Sequence, residues 1–174
     1  GIEGLTARDM EDYTAPTDAE LSAANVSAYF LGAFEPWDSH RNAEVARKAG
    51  MKCERPGLMN WWTHENQDNY QVSLHDHAMY RKYSYGRLAA QISVDIRSGL
   101  INRENAMAIV SERDGLFPYT YLGEPIEAIC ERMGMTFEQA TDTLDRFTSW
   151  DLFSHVEDRR PIPRWVSERV FLAA

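Results

Sequence analysis

The sequence predicts a mostly α-helical fold: a helical domain over residues 51–174, preceded over residues 1–50 by a short strand–helix piece of an α/β sheet. Three observations lead there. Capping signatures, Thr17 with Glu20 and Thr136 with Gln139, stand at the three-residue spacing that starts helices. Apolar residues after about residue 68 recur at helical rather than strand spacing. One stretch alone, SAYFLGAF at 27–34, has the apolar and aromatic run of a strand.

Each element has a local cause. Thr17 caps a short helix through TDAELSAAN. After the strand at 27–34, PWDSH turns the chain and Asp38 caps a helix through NAEVARKA, with Gly50 as its stop. A single strand cannot bury itself, so the rest of its sheet is expected outside this chain. Residues 51–67, with Pro56, Gly57, Trp61 and Trp62, read as a loop whose tryptophans pack on the core edge. Helices are expected over 68–84, 86–98, 103–113, 123–133 and 136–148, the third capped by Asn102. Ile126, Ile129, Cys130 and Met133 make one buried stripe; Phe137, Ala140, Leu144 and Phe147 make another. The Pro-broken tail from 155, with RRPIPRW, is expected to wrap the surface.

Composition narrows the function. With 44% hydrophobic residues the chain can form a globular core, and no apolar run approaches the ~20 residues of a membrane span. The start, GIEGLTARDMEDY, is acidic and does not look like a signal peptide. Cys53 and Cys130 form no CxxC pair, and a reducing, cytoplasmic compartment is the simple expectation. A net charge of -9 argues against nucleic acid as a partner. The charge is uneven, however. Residues 1–38 hold eight acids and one base, whereas residues 75–103 hold two acids (Asp76, Asp95) and five bases (Arg81, Lys82, Arg87, Arg97, Arg103).

That basic run, HDHAMYRKYSYGRLAAQISVDIR at 75–97, suits a phosphorylated small molecule, with a solvated helix face as the bland alternative. Arg87, Gln91 and Asp95 are spaced four apart on one helix face, so Asp95 is placed to orient Arg87 toward a phosphate. Gly86 reads as a break where two helices meet and the backbone approaches something closely. His75 and His77, two apart, do not share a helix face, and no metal site is expected from them; a single histidine as hydrogen-bond donor or proton carrier fits better. There is no GxxxxGK[ST] loop, GxGxxG, GxSxG or HExxH.

Four segments together resemble a known family: YFLGAFEPWDSHRNAEVARKAG (29–50), HDHAMYRKYSYGR (75–87), SVDIRSGLINRENAM (93–107) and DGLFPYTYL (114–122). In this order and spacing they are similar to the C-terminal half of the N-acetyl sugar amidotransferases of bacterial surface-polysaccharide synthesis. The resemblance implies an ATP pyrophosphatase with an adenine-nucleotide α-hydrolase-like sheet. In such an enzyme ATP, with Mg, adenylates the acetamido oxygen of a nucleotide-linked N-acetyl sugar. Ammonia from a glutaminase subunit then displaces AMP and leaves an acetamidino group. The SGGxDS ATP loop belongs to the missing N-terminal half, so this stretch alone is expected to be catalytically incomplete.

The same resemblance implies that Lys82 and Arg87 contact phosphates, while Asp95 and Arg97 support them or face the substrate. It sets Asp38, His40 and His75 near the ligand, the first two at a strand's carboxyl end, where open α/β sheets bind. Departures are visible. Ser84 stands where the family run has glycine, His77 where it has tyrosine, and LAAQ at 88–91 loses an acid. A second reading stands beside the enzyme: a non-catalytic helical interaction module derived from it.

Overall fold

The computed structural model describes residues 4–53 and 57–167 and is mostly α, with two small antiparallel two-stranded sheets. The chain forms two compact units, Gly1–Glu44 and Val45–Ala174.

In the first unit, α1 (Asp18–Ala23) starts at the expected capping box. Thr17 Oγ1 accepts from the Glu20 amide at 3.3 Å and Glu20 Oε2 accepts from the Thr17 amide at 2.8 Å. Asp38 Oδ1 accepts from the Arg41 amide at 3.0 Å and so caps α2 (Ser39–Lys48). The expected strand over 27–34 is absent. The backbone is extended up to Phe30 and then closes into a 3-10 turn at Leu31–Ala33. Strand conformation needs a ladder partner. Among the described residues, strands occur only as two hairpins, neither of which includes this segment. Its aromatics remain in solvent, with Tyr29 76% and Phe30 89% exposed.

The second unit holds α3 (Val72–Tyr83), α4 (Arg87–Arg97), α5 (Arg103–Arg113), the β1–β2 hairpin (Thr120–Tyr121 with Glu124–Pro125), α6 (Ile126–Arg132), α7 (Phe137–Arg146) and the β3–β4 hairpin (Phe153–Glu157 with Arg160–Pro163). Two small cores form. Leu74 of α3 joins Phe117, Tyr121, Ile126, Ile129, Cys130 and Ala140. Leu88 and Ile92 of α4 pack on Ala106 and Val110 of α5. Asn102 and Thr136 cap α5 and α7 as expected, because such contacts span only three residues.

Several expectations are corrected. α3 begins at Val72 rather than 68, and α6 begins at Ile126 because Glu124–Pro125 pairs as a strand. Phe147 is 72% exposed: α7 ends at Arg146, so the apolar stripe stops one turn short of it. Within its described residues the tail does more than wrap the surface. Residues 160–163 are all buried in β4, where the two prolines are tolerated because a two-stranded ribbon is all edge. Tyr80 donates to the Pro161 carbonyl at 2.8 Å, and Arg160 donates to the Glu112 and Ser111 carbonyls at 2.8 Å each, satisfying the open end of α5.

Gly86 is indeed a close approach. The Gly86 amide donates to Asp114 Oδ2 at 2.7 Å, and a Cβ there would lie 2.7 Å from Asp114 Oδ1. Asp114 thus caps the start of α4 from the far end of α5. Ser84, at the αL C-cap of α3, has φ +60 and ψ 18, a conformation that glycine takes freely.

Two buried groups respond to pH in opposite senses. His77 lies between the Tyr80 and Phe117 rings, with no hydrogen-bond partner for either ring nitrogen. Burial, reinforced by the Arg81 charge, depresses its pKa to about 3, while the Leu116 and Gly115 backbone pulls weakly upward without completing a hydrogen bond. Asp114 is pushed up to about 6 by burial, against the Gly86, Ala89 and Leu88 amides. A depressed histidine supports the fold fully above its unfolded pKa near 6.5 and loses that support as pH falls toward 3. A raised carboxyl does the reverse: it favours the fold below about 3.8 and loses that contribution as pH rises through about 6. Between pH 7 and 5 the two largely cancel. Relative to the parent protein, His77→Phe should gain about 2 kcal/mol on going from pH 7 to 5, and Asp114→Asn should lose about 1 kcal/mol. Urea denaturation at the two pH values checks both signs.

Candidate functional site

The site grows from one face of α4. Arg87, Gln91 and Asp95 lie four residues apart, and all three are engaged with the residues before α3 or with α3 itself. Gln91 Oε1 accepts from the Trp61 and Trp62 amides at 2.8 and 3.1 Å, and Gln91 Nε2 donates to Glu65 Oε2 at 2.9 Å. Both indoles donate to Asp95, Trp61 at 2.6 Å and Trp62 at 3.2 Å. A buried carboxylate therefore fixes the tryptophan pair. His64 stacks on Trp62 with centroids 5.3 Å apart.

Arg87 is held from the other side. Its Nε and Nη2 donate to Asp76 at 3.2 and 3.0 Å, a side-on fork onto a carboxylate with no exposed surface. The hydrogen bond to Asp76 raises the arginine's pKa further, opposed by partial burial, with the Asp76 and Glu65 charges adding to the rise. Asn66 donates to the same carboxylate at 3.4 Å and to Asn60 Oδ1 at 3.2 Å, and Tyr121 donates to the Asn66 carbonyl at 2.7 Å. Arg113 donates to the Leu58 carbonyl at 2.7 Å and to the Asn60 carbonyl at 3.2 Å. The segments that carry the sequence motifs thus converge: HDH supplies Asp76, YGR supplies Arg87, VDIR supplies Asp95, and DGLFPYTY supplies Asp114 and Tyr121.

The orienting carboxylate of Arg87 is Asp76 rather than Asp95, which is committed to the indoles. Lys82 does not join this network. It is exposed, six residues beyond Asp76 and so roughly 120° around the helix from it, and its ammonium lies 5.7 Å from the Tyr83 ring. Arg97 is exposed and reaches Ser93 Oγ at 3.4 Å. His75 is exposed, with Nδ1 3.2 Å from Asp76 Oδ1. Asp38 and His40 belong to the first unit, where Asp38 serves as the α2 cap.

In space two of the five bases over 75–103 are paired with internal acids, while Lys82, Arg97 and Arg103 are exposed. Arg81 binds Asp145 and Thr148, Arg87 binds Asp76, and the network around Arg87 also holds Glu65 and Asp95. Sequence reasoning gave no role to Asp76 as the pair of Arg87, to Asn66, or to Asp114 as a cap. An Asp-Gly pair inside a motif-rich segment was the one available hint of the last. Among the described residues, no three His, Cys, Asp or Glu side chains converge as a metal site would require, and no helix is long and apolar enough to cross a membrane.

What these elements define is a helical domain whose motif residues lock a tryptophan-bearing loop to a half-exposed arginine. Residues 60–166 match the family described as LPS biosynthesis protein WbpG-like, C-terminal domain, and the chain belongs to that family. The matched range contains every residue of the network just described except Leu58. Comparison with curated proteins gives no match.

Proposed function

We propose that this chain is the substrate-holding C-terminal part of an ATP-dependent amidotransferase. The reaction would convert the acetamido group of a nucleotide-linked N-acetyl sugar to an acetamidino group during lipopolysaccharide synthesis. Membership of a lipopolysaccharide-biosynthesis family supports the setting. The support within the site is the state of Arg87. Two of its donors are fixed by buried Asp76, while no hydrogen bond from Nη1 is seen among the described residues and the side chain keeps 30% of its surface exposed. Such an arginine is preorganised: the entropy of ordering it is already spent before a ligand arrives. Its free edge suits a phosphoryl or amide oxygen. Glu65 and the nearby Trp61 suit sugar hydroxyls and a sugar face.

The residues do not supply a place for ATP or Mg. The sequence has no glycine-rich phosphate loop, and the described residues hold no acidic or histidine cluster for a cation. No step through ATP is therefore assigned to this chain. The adenylating half and the glutaminase belong, in this proposal, to other polypeptide segments.

The exposed aromatics of 29–37 favour a partner as well. If they dock a protein and no small molecule binds, the chain is the interaction module of the second reading. Thermal shift with UDP-linked N-acetyl sugar separates the two, because a ligand that prefers the folded state raises apparent stability. The expected result is a rise for the parent protein and a smaller one for Arg87→Lys, which keeps the charge beside Asp76 but loses the planar fork. Absence of any rise, or an equal rise in both, rejects the sugar-binding role.

A further inference from the structure

A second cavity lies away from Arg87. It encloses about 200 Å³ and is lined by Arg81, Arg159, Trp150, Phe117, Thr141, Asp145 and Val156. Arg81 and Arg159 face one acid, Asp145, which is already paired with Arg81, so the cavity carries one positive charge in excess. The Arg81 guanidinium lies 5.4 Å from the centre of the Trp150 ring, and Trp150 is 46% exposed.

Arg159 is placed there by an unusual turn. Glu157 pairs with Arg160, so Asp158 and Arg159 alone connect β3 to β4, with φ +42 and +61. Hairpin turns of this kind favour Asn-Gly or Asp-Gly, because both central residues take positive φ. An arginine in the glycine position is backbone strain, and strain of this kind clusters at functional sites. Its guanidinium carbon lies 4.9 Å from the Phe137 ring centre and 5.8 Å from that of Phe117. A guanidinium held over aromatic rings still presents N–H donors to acceptors. Beside this turn Tyr119 donates to Asp158 Oδ1 at 2.6 Å. Five donors leave room for a phosphoryl group.

We propose that this cavity binds a phosphate monoester carrying one flat ring, with its phosphoryl oxygens on Arg159 and its ring against Trp150. The volume is below the ~300–1,000 Å³ of drug-sized sites, which limits the ligand to about that size. The inference does not rest on the amidotransferase reading, and its test uses no sugar nucleotide.

Isothermal titration with phenyl phosphate, inorganic phosphate and phenol provides the test. Phenyl phosphate should bind saturably, on the order of 1 mM or tighter. Inorganic phosphate should bind more weakly, and phenol not at all. Arg159→Gly should weaken phenyl phosphate at least tenfold, while the melting temperature holds or rises by about 2 °C through relief of the turn. Trp150→Leu should reduce phenyl phosphate to the affinity of inorganic phosphate. If Arg159→Gly fails to fold, Arg159→Gln replaces it with the same expected loss. No saturable binding to the parent protein, or undiminished binding in whichever Arg159 variant folds, overturns the proposal.

Discussion

Arg87→Ala should cost about 3 kcal/mol of folding stability, far more than a partly exposed arginine usually contributes. The cause is Asp76. Its carboxylate has no exposed surface, and Arg87 gives it two hydrogen bonds, at 3.2 and 3.0 Å. Removing the guanidinium leaves a buried charge whose remaining partners among the described residues are Asn66 at 3.4 Å and the His75 ring at 3.2 Å. Asp76→Asn in the Arg87→Ala background should recover at least half of the loss, because a neutral amide is far cheaper to bury than an uncompensated charge. Lys82→Ala should change stability by less than about 0.5 kcal/mol, as expected of an exposed side chain with no ion pair among the described residues. Urea denaturation of the four proteins measures all of this. A loss for Arg87→Ala no larger than that for Lys82→Ala would show that the pair does not hold the fold. The same coupling makes alanine a poor probe of ligand binding here, since it unsettles the chain before it removes a contact.

Gly115→Ala should be the most damaging small substitution, at about 4 kcal/mol or more. Gly115 has φ +76, and a Cβ would lie 2.1 Å from the Tyr80 ring. That ring cannot step aside. Tyr80 is 1% exposed, its hydroxyl is bonded to the Pro161 carbonyl at 2.8 Å, and its ring packs at 5.8 Å from that of Phe153. Gly99→Ala is the control, since Gly99 has φ +73 but nothing within 4 Å of the added carbon. It carries the backbone cost alone, about 1 kcal/mol. A melting-temperature loss in Gly115→Ala matching that of Gly99→Ala would show that Tyr80 yields and that the contact is soft.

Helix starts marked by a capping residue, and the buried stripe of α6, were legible from residues because their causes are local. The capping boxes at Thr17 and Thr136 reach three residues, and the stripe Ile126, Ile129, Cys130 spans little more than one turn. Gly86 was legible as a close approach, although not what it approaches. Family membership was also legible, since the recurring segments fall largely inside residues 60–166.

Pairing was the business of the tertiary structure. Arg81 meets Asp145 across 64 residues, Tyr80 meets Pro161 across 81, and Gly86 meets Asp114 across 28. Charge counted along the chain therefore suggested a basic patch, whereas in space two of its arginines, Arg81 and Arg87, are paired with the carboxylates of Asp145 and Asp76. The strand expected at 27–34 failed for the same reason: an apolar and aromatic run specifies a willingness to pair, and only a neighbouring strand turns that willingness into a ladder. Local conformation follows from nearest neighbours and so can be read from order alone. Which acid neutralises which base depends on chain separations that order alone does not encode.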